Sequence, residues 1–273
     1  MILATHDASH VRSDWLTVAA LSAISISLTV GLHEAGHAIA CIASGGDLNE
    51  FSALHVDCTP GGVWQARLVA VSGTLVNWAM AFAAWRRLGG HQPGSVGRLF
   101  TWMLMLMNGL YAAGYWMFSG IGGVGDWAGA IAGLPFQGML RAAMAVLGSA
   151  AFLGVVWVSL KGLGRFIGGA DVSEQVKRAA PLGYIAYAVS LATVLLAAVV
   201  NPHGLMGAPA LAGILAAAAA QSPLLWMMQW FRASSFPKVE GPPLIVPRKS
   251  KIVLGGACAV VVYALLLGRT WYF

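Results

Sequence analysis

The chain is short of charge. Of its 273 residues only 10% are Asp, Glu, Lys or Arg, against about a quarter in an ordinary globular domain. So few charges cannot cover the surface of a soluble protein of this size, which excludes a soluble enzyme. Cysteine is scarce too: Cys41, Cys58 and Cys258 are too few and too scattered for a disulfide scaffold or a cysteine-type zinc ribbon, so they say little about redox compartment. Acidic residues number ten, and Asp126 is the only one between Asp57 and Asp171. The net charge of +6 does not call for nucleic acid, because the basic residues fall in short clusters between apolar runs.

What fills the space is apolar. Hydrophobic residues make up 58%, with 34 Gly, eleven Trp and eleven Met and a mean hydropathy of +0.74. This composition excludes a disordered chain and reads as an all-α polytopic membrane protein, with lipid as the solvent for most side chains. Seven apolar stretches approach the about 20 residues a bilayer core requires: residues 15–43, 68–88, 99–119, 141–160, 181–200, 209–231 and 252–268. The first is too long for a signal peptide and lacks a small-residue cleavage site, so no cleavable leader is expected.

The connections alternate in charge. Those after the second, fourth and sixth stretches carry Arg86, Arg87 and Arg98, then Lys161, Arg165, Lys177 and Arg178, then Arg232, Lys238, Arg248, Lys249 and Lys251. The odd connections carry Asp47, Glu50, Asp57 and Asp126 and at most one Arg each. The positive-inside rule therefore predicts a cytoplasmic N-terminus and even connections, with the odd ones on the opposite side. Within the first odd connection, Phe51–Val56 and Val63–Val69 flank Pro60-Gly61-Gly62, a pattern that predicts a small β-hairpin.

The first stretch ends in His33-Glu34-Ala35-Gly36-His37, an H-E-x-x-H motif. On a helix this spacing puts His33 and His37 on one face, where two imidazoles can hold one zinc ion beside a glutamate able to act on water. Three ionisable groups at membrane depth are costly unless they serve a ligand or a water-filled cavity. Ser22, Ser25 and Thr29 precede them at helical spacing, so this stripe should face the bundle interior. The alternative is that all these groups only bond neighbouring helices.

A catalytic zinc usually takes three protein ligands, and the third must come from elsewhere. Cys41 continues the stripe but lies about 12 Å from His33 along the helix, too far to share an ion, and reads as packing. Asp126, among glycines, lies on the same predicted side as the motif, as third ligand or as the N-cap of a helix over Trp127–Leu134. His55, Asp57 and His203 are alternatives on that side. Asn77 and Asn108, inside apolar stretches, are candidates for binding substrate or an oxyanion, or for pairing helices.

These residues resemble the site-2 protease class of intramembrane zinc metalloproteases, the peptidase M50 or M50B-like family, especially its small bacterial branch. The resemblance covers roughly residues 20–130 and rests on His33 to His37, the hairpin-like connection, Ser72-Gly73-Thr74-Leu75-Val76-Asn77 and Gly125-Asp126. It implies one zinc ion per chain held by His33, His37 and Asp126, with Glu34 as general base. It also implies a transmembrane protein as substrate and an inner-membrane location in a bacterium. Residues 1–140 would then form the catalytic core and 141–273 accessory helices. The string His33 to Ala38 is also similar to that of membrane proteases coupled to an ATPase, but no Walker motif is present, and no further His completes the metzincin motif. Two other functions fit the same residues: an ion transporter or metal-binding regulator, and an inactive relative that shelters membrane clients.

Overall fold

The computed structural model describes residues 13–92, 94–204, 207–230 and 242–273, without the side chains of 208–210 and 212. It is mostly helical. Helix α1 (Trp15–Ala43) is followed by strands β1 (Asp47–Phe51) and β2 (Val56–Thr59), then α2 (Val63–Leu88), α3 (Val96–Gly122) and the short α4 (Asp126–Ala130). Next come α5 (Gln137–Gly164), α6 (Val172–Val200), α7 (Ala208–Gln221) and the single turn α8 (Pro223–Trp226), which runs into a 3₁₀ turn. Helix α9 (Ser250–Val260) continues as π-helix to Leu267, and β3 (Trp271–Tyr272) ends the chain.

Among the described residues, five helices are long and apolar enough to cross a membrane: α1, α2, α5, α6 and Ser250–Leu267. Large apolar side chains on their outer faces stay exposed, including Phe82 at 59% and Trp157 at 57%, as expected where lipid is the solvent. Two of the seven predicted spans are not among the five. Helix α3 has the length, but its Trp, Tyr and Gly residues and Asn108 dilute its apolarity. It is the central helix, packing on α1, α2, α5 and α7 and burying Trp102, Met103, Leu106 and Leu110 completely. The predicted span 209–231 is broken: α7 is 14 residues long, about 21 Å, and Pro223, which has no N–H to continue the helix, opens α8. The end of that span, and half of the connection after it, lie outside the described residues.

The first connection also differs from expectation. Val63–Val69, predicted as a strand, forms the first turns of α2. There Arg67 donates to the Ala132 carbonyl at 3.2 Å and the Val69 carbonyl accepts from His37. These tertiary contacts outweigh the β preference of the valines. Pro60-Gly61-Gly62 thus separates sheet from helix, and the antiparallel pair is β1 with β2, joined through Ser52–His55. Strand β3 pairs with the other edge of β1, giving the order β2-β1-β3. A disulfide links Cys41 at the end of α1 to Cys58 in β2. The reading of Cys41 as mere packing is corrected: its partner is 17 residues away and is brought near only by the fold of the sheet over the helix.

Candidate metal centre

The stripe on α1 is buried as its spacing predicts. Ser22, Ser25 and Thr29 are completely inaccessible, and His33, Glu34 and His37 are buried. Helix α2 crosses this face at contact distance, and the crossing depends on two glycines. A Cβ on Gly36 would meet Val76 and the backbone of Ser72 and Gly73, and one on Gly73 would lie 2.5 Å from His37 Nε2 and 2.9 Å from the His33 ring. Gly73 therefore lets the α2 backbone lie against both imidazoles.

Asp126 reaches the same point from the far end of α3. That helix stops at Gly123 (φ 68°), which returns an N–H to the Ser119 carbonyl, and Gly125 (φ 85°) re-aims the chain. Both angles favour glycine. Gly125 takes the N-cap position of α4 and Asp126 its first turn, so the carboxylate is not a cap and points at the histidines. His33 Nε2 is 3.1 Å and His37 Nε2 3.4 Å from Asp126 Oδ2, and the two Nε2 atoms are 3.1 Å apart. Among the described residues these three groups could hold a metal ion, their ligand atoms all lying within 4.8 Å of one another.

Hydrogen bonding decides which ring nitrogens face inward. His37 Nδ1 is 2.7 Å from the Val69 carbonyl, an acceptor only, so Nδ1 carries the proton and the neutral ring presents an Nε2 lone pair. His33 Nδ1 donates likewise to Asn77 Oδ1 at 2.7 Å. Asp126 Oδ2 is buried without a hydrogen bond among the described residues. Burial raises the Asp126 pKa, yet the adjacent imidazoles outweigh it and hold the carboxyl well below the usual range. A carboxylate facing two such rings needs a positive charge between them, carried by a proton or by a metal ion. Two nitrogens and one oxygen form a donor set open to several divalent transition metals, zinc among them.

A cavity of about 450 Å³ opens beside the three groups. Glu34, His37 and Asp126 line it, and β2 forms one wall through Val56, Asp57 and Cys58. His55 and Asp57, the alternative ligands, also line the cavity but fall outside the cluster; Asp57 accepts from Asn49 Nδ2 at 3.0 Å. His203 lies 3.5 Å from Glu50, in a separate pair. Asn77 and Asn108 are fully buried behind the histidines and are not among the residues lining the cavity.

Several site residues escaped the sequence reading. The Tyr111 and Tyr115 rings pack on His33, with centroids 5.3 and 4.7 Å away. Their spacing from Asn108 puts them on its face of α3, a usable signal. Gly73 entered only within the string Ser72 to Asn77, with nothing to mark its contact with the rings, and the Val69 carbonyl gave no sign. Compared with family profiles, curated proteins and solved structures, the chain matches none.

Proposed function

We propose that the protein is an intramembrane zinc metalloprotease that hydrolyses a peptide bond in or near a transmembrane segment of another protein. The observation that carries this reading is the meeting of His33 and His37 on α1 with the distant Asp126, beside a cavity lined by Glu34, His37 and Asp126. Zinc bound by these three groups would lower the pKa of a water molecule toward neutrality and polarise the scissile carbonyl. Glu34 takes the proton of the attacking water as its oxygen bonds to the carbonyl carbon, then passes that proton to the amine as the C–N bond breaks. The Nδ1 bonds of His33 and His37 hold both rings with Nε2 toward Asp126.

A transmembrane helix keeps its carbonyls hydrogen-bonded, so the substrate segment has to unwind before attack. Strand β2 is an edge strand of the sheet and borders the cavity, which supports capture of the unwound segment as an added strand. The site opens away from the cytoplasm in this reading. Two independent features support that orientation: the described residues of the basic connections lie at the opposite ends of the helices, and Cys41–Cys58 is a bond that persists in oxidising compartments.

The test uses full-length protein in detergent, with metal content and cleavage of a panel of transmembrane segments measured together. Glu34→Gln should keep about one zinc per chain and lose at least about 100-fold in cleavage, within the range removed with a general base. Asp126→Ala should lose the metal as well. Cleavage by Glu34→Gln at the wild-type rate would remove the catalytic assignment. Metal flux that depends on the His pair, with no cleavage, would favour the transporter. Bound metal with neither flux nor cleavage would favour the client-sheltering relative.

A further inference from the structure

Behind the histidines lies a closed set of hydrogen bonds joining α1, α2 and α3. Asn77 Nδ2 donates to the Thr29 carbonyl and to Asn108 Oδ1, both at 2.9 Å. Asn108 Nδ2 donates to the Leu104 carbonyl at 2.9 Å and to Thr29 Oγ1 at 3.0 Å. Thr29 Oγ1 in turn donates to the Ser25 carbonyl at 2.8 Å. Each amide has two N–H donors, and all four are used. Neither Asn77 nor Asn108 keeps a donor for a substrate or an oxyanion, the roles considered for them from sequence.

The direction of the chain is equally determined. Backbone carbonyls only accept, so the Leu104 carbonyl requires the NH₂ of Asn108 on its side, and Asn108 Oδ1 must turn to Asn77. The Thr29 carbonyl orients Asn77 in the same way, leaving Asn77 Oδ1 to face His33 Nδ1 at 2.7 Å. An oxygen there requires the proton on Nδ1. The His33 lone pair is then on Nε2, 3.1 Å from Asp126. His37 needs no such arrangement, because a backbone carbonyl already orients it.

We propose that Asn77 is a positioning residue for the metal centre, fixing the tautomer and ring orientation of His33, and that Asn108 and Thr29 hold Asn77 in the required amide orientation. This rests on the metal-site reading above. Outer partners of a metal-bound imidazole, when removed, typically cost 10- to 100-fold in metal affinity. Mere helix pairing would lower stability and leave the metal's own properties alone.

The experiment titrates cobalt(II) and zinc into metal-free, full-length wild type, Asn77→Ala, Asn77→Asp and Asn108→Ala in detergent, with His33→Ala as control. Affinity is read by chelator competition and geometry by the visible cobalt spectrum. Asn77→Ala should weaken binding about 10- to 100-fold and shift the cobalt bands. Asn77→Asp keeps an oxygen toward Nδ1 but sets a second acceptor against the Thr29 carbonyl and Asn108 Oδ1, so it should recover the affinity only in part. Asn108→Ala should show a smaller loss of the same kind, and it serves where Asn77→Ala does not fold. Wild-type affinity and spectrum in folded Asn77→Ala, or in folded Asn108→Ala if that is the variant obtained, would overturn the positioning role while leaving the metal site intact. Absence of metal binding in wild type, indistinguishable from His33→Ala, would instead overturn the metal reading, and this inference with it.

Discussion

The two ends of α1 are fastened in different ways. At its C-terminal end the contacts are buried or covalent: Gly73 lies against the His33 and His37 rings, Asn77 bonds His33, and Cys41 is joined to Cys58. At its N-terminal end the helix is tied to the connection before α9. There Asp14 N–H donates to the Val246 carbonyl at 2.7 Å and Lys249 N–H to Thr17 Oγ1 at 3.1 Å, while Arg248 approaches the Asp14 carboxylate at 3.4 Å. Close packing follows further in, where Gly256 of α9 meets Ala20. Ala20 precedes His33 by 13 residues, about 20 Å along the helix. One end therefore carries the candidate metal centre and the other ties the bundle together, so damage at each should register in different measurements.

Paired glycine substitutions give the largest expected contrast. In Gly73→Ala the new methyl group would occupy space at the imidazole nitrogens, and metal content should fall from about one ion per chain to near zero even in folded protein. Gly256→Ala places a methyl against the Ala20 backbone, a contact of 2.6 Å to Cα. Overpacking of this kind costs about 1–3 kcal/mol, so its melting temperature should drop while the folded fraction keeps its metal. Metal analysis beside thermal denaturation separates the two. Gly73→Ala binding zinc like wild type would break the claim that the α2 backbone closes the site.

The disulfide comes next in size. Closing a loop of this length is worth about 3 kcal/mol in the chain-entropy account, so Cys58→Ser should lower the melting temperature by several degrees. Cys258, exposed and free, should be silent when changed to Ser. A membrane-impermeant reductant added outside intact cells should open Cys41–Cys58 if the site end of α1 faces outward. Reduction only after the membrane is breached would reverse the proposed orientation.

These contrasts follow a division in what could be read from the sequence. The metal-ligand candidates were legible because their signals are local: His33 and His37 are one helical turn apart, and Asp126 is a lone carboxylate in a long acid-free stretch. Asn77 and Asn108 stood out as polar groups in apolar helices, but what they touch was not legible. Their orientation depends on the Thr29 and Leu104 carbonyls, and a backbone carbonyl has no residue type to mark it. The disulfide and β3 were hidden for a related reason, since each needs the sheet to fold over the end of α1 before its partners meet. The break at Pro223 was visible as a residue, but hydropathy averaged over the whole segment concealed it.

The smallest effect belongs to the N-terminal end and is a matter of pH. Burial works to raise the Asp14 pKa, but hydrogen bonds from the Thr17 hydroxyl and amide, with the Arg248 charge, outweigh it and hold the carboxyl below its ordinary value. A carboxyl that binds protons less readily when folded stabilises the fold fully above its unfolded pKa, about 4. That contribution is lost as pH falls through the lower folded value. Asp14→Asn keeps an N-cap acceptor of similar strength and removes only the charge. Melting temperatures of the two proteins should therefore differ slightly at pH 7 and converge as pH falls below about 4. Added salt should narrow the gap at pH 7, because an exposed ion pair is screened. Metal content at pH 7 should be the same in both. If Asp14→Asn loses metal, the two ends of α1 act as one unit rather than separately.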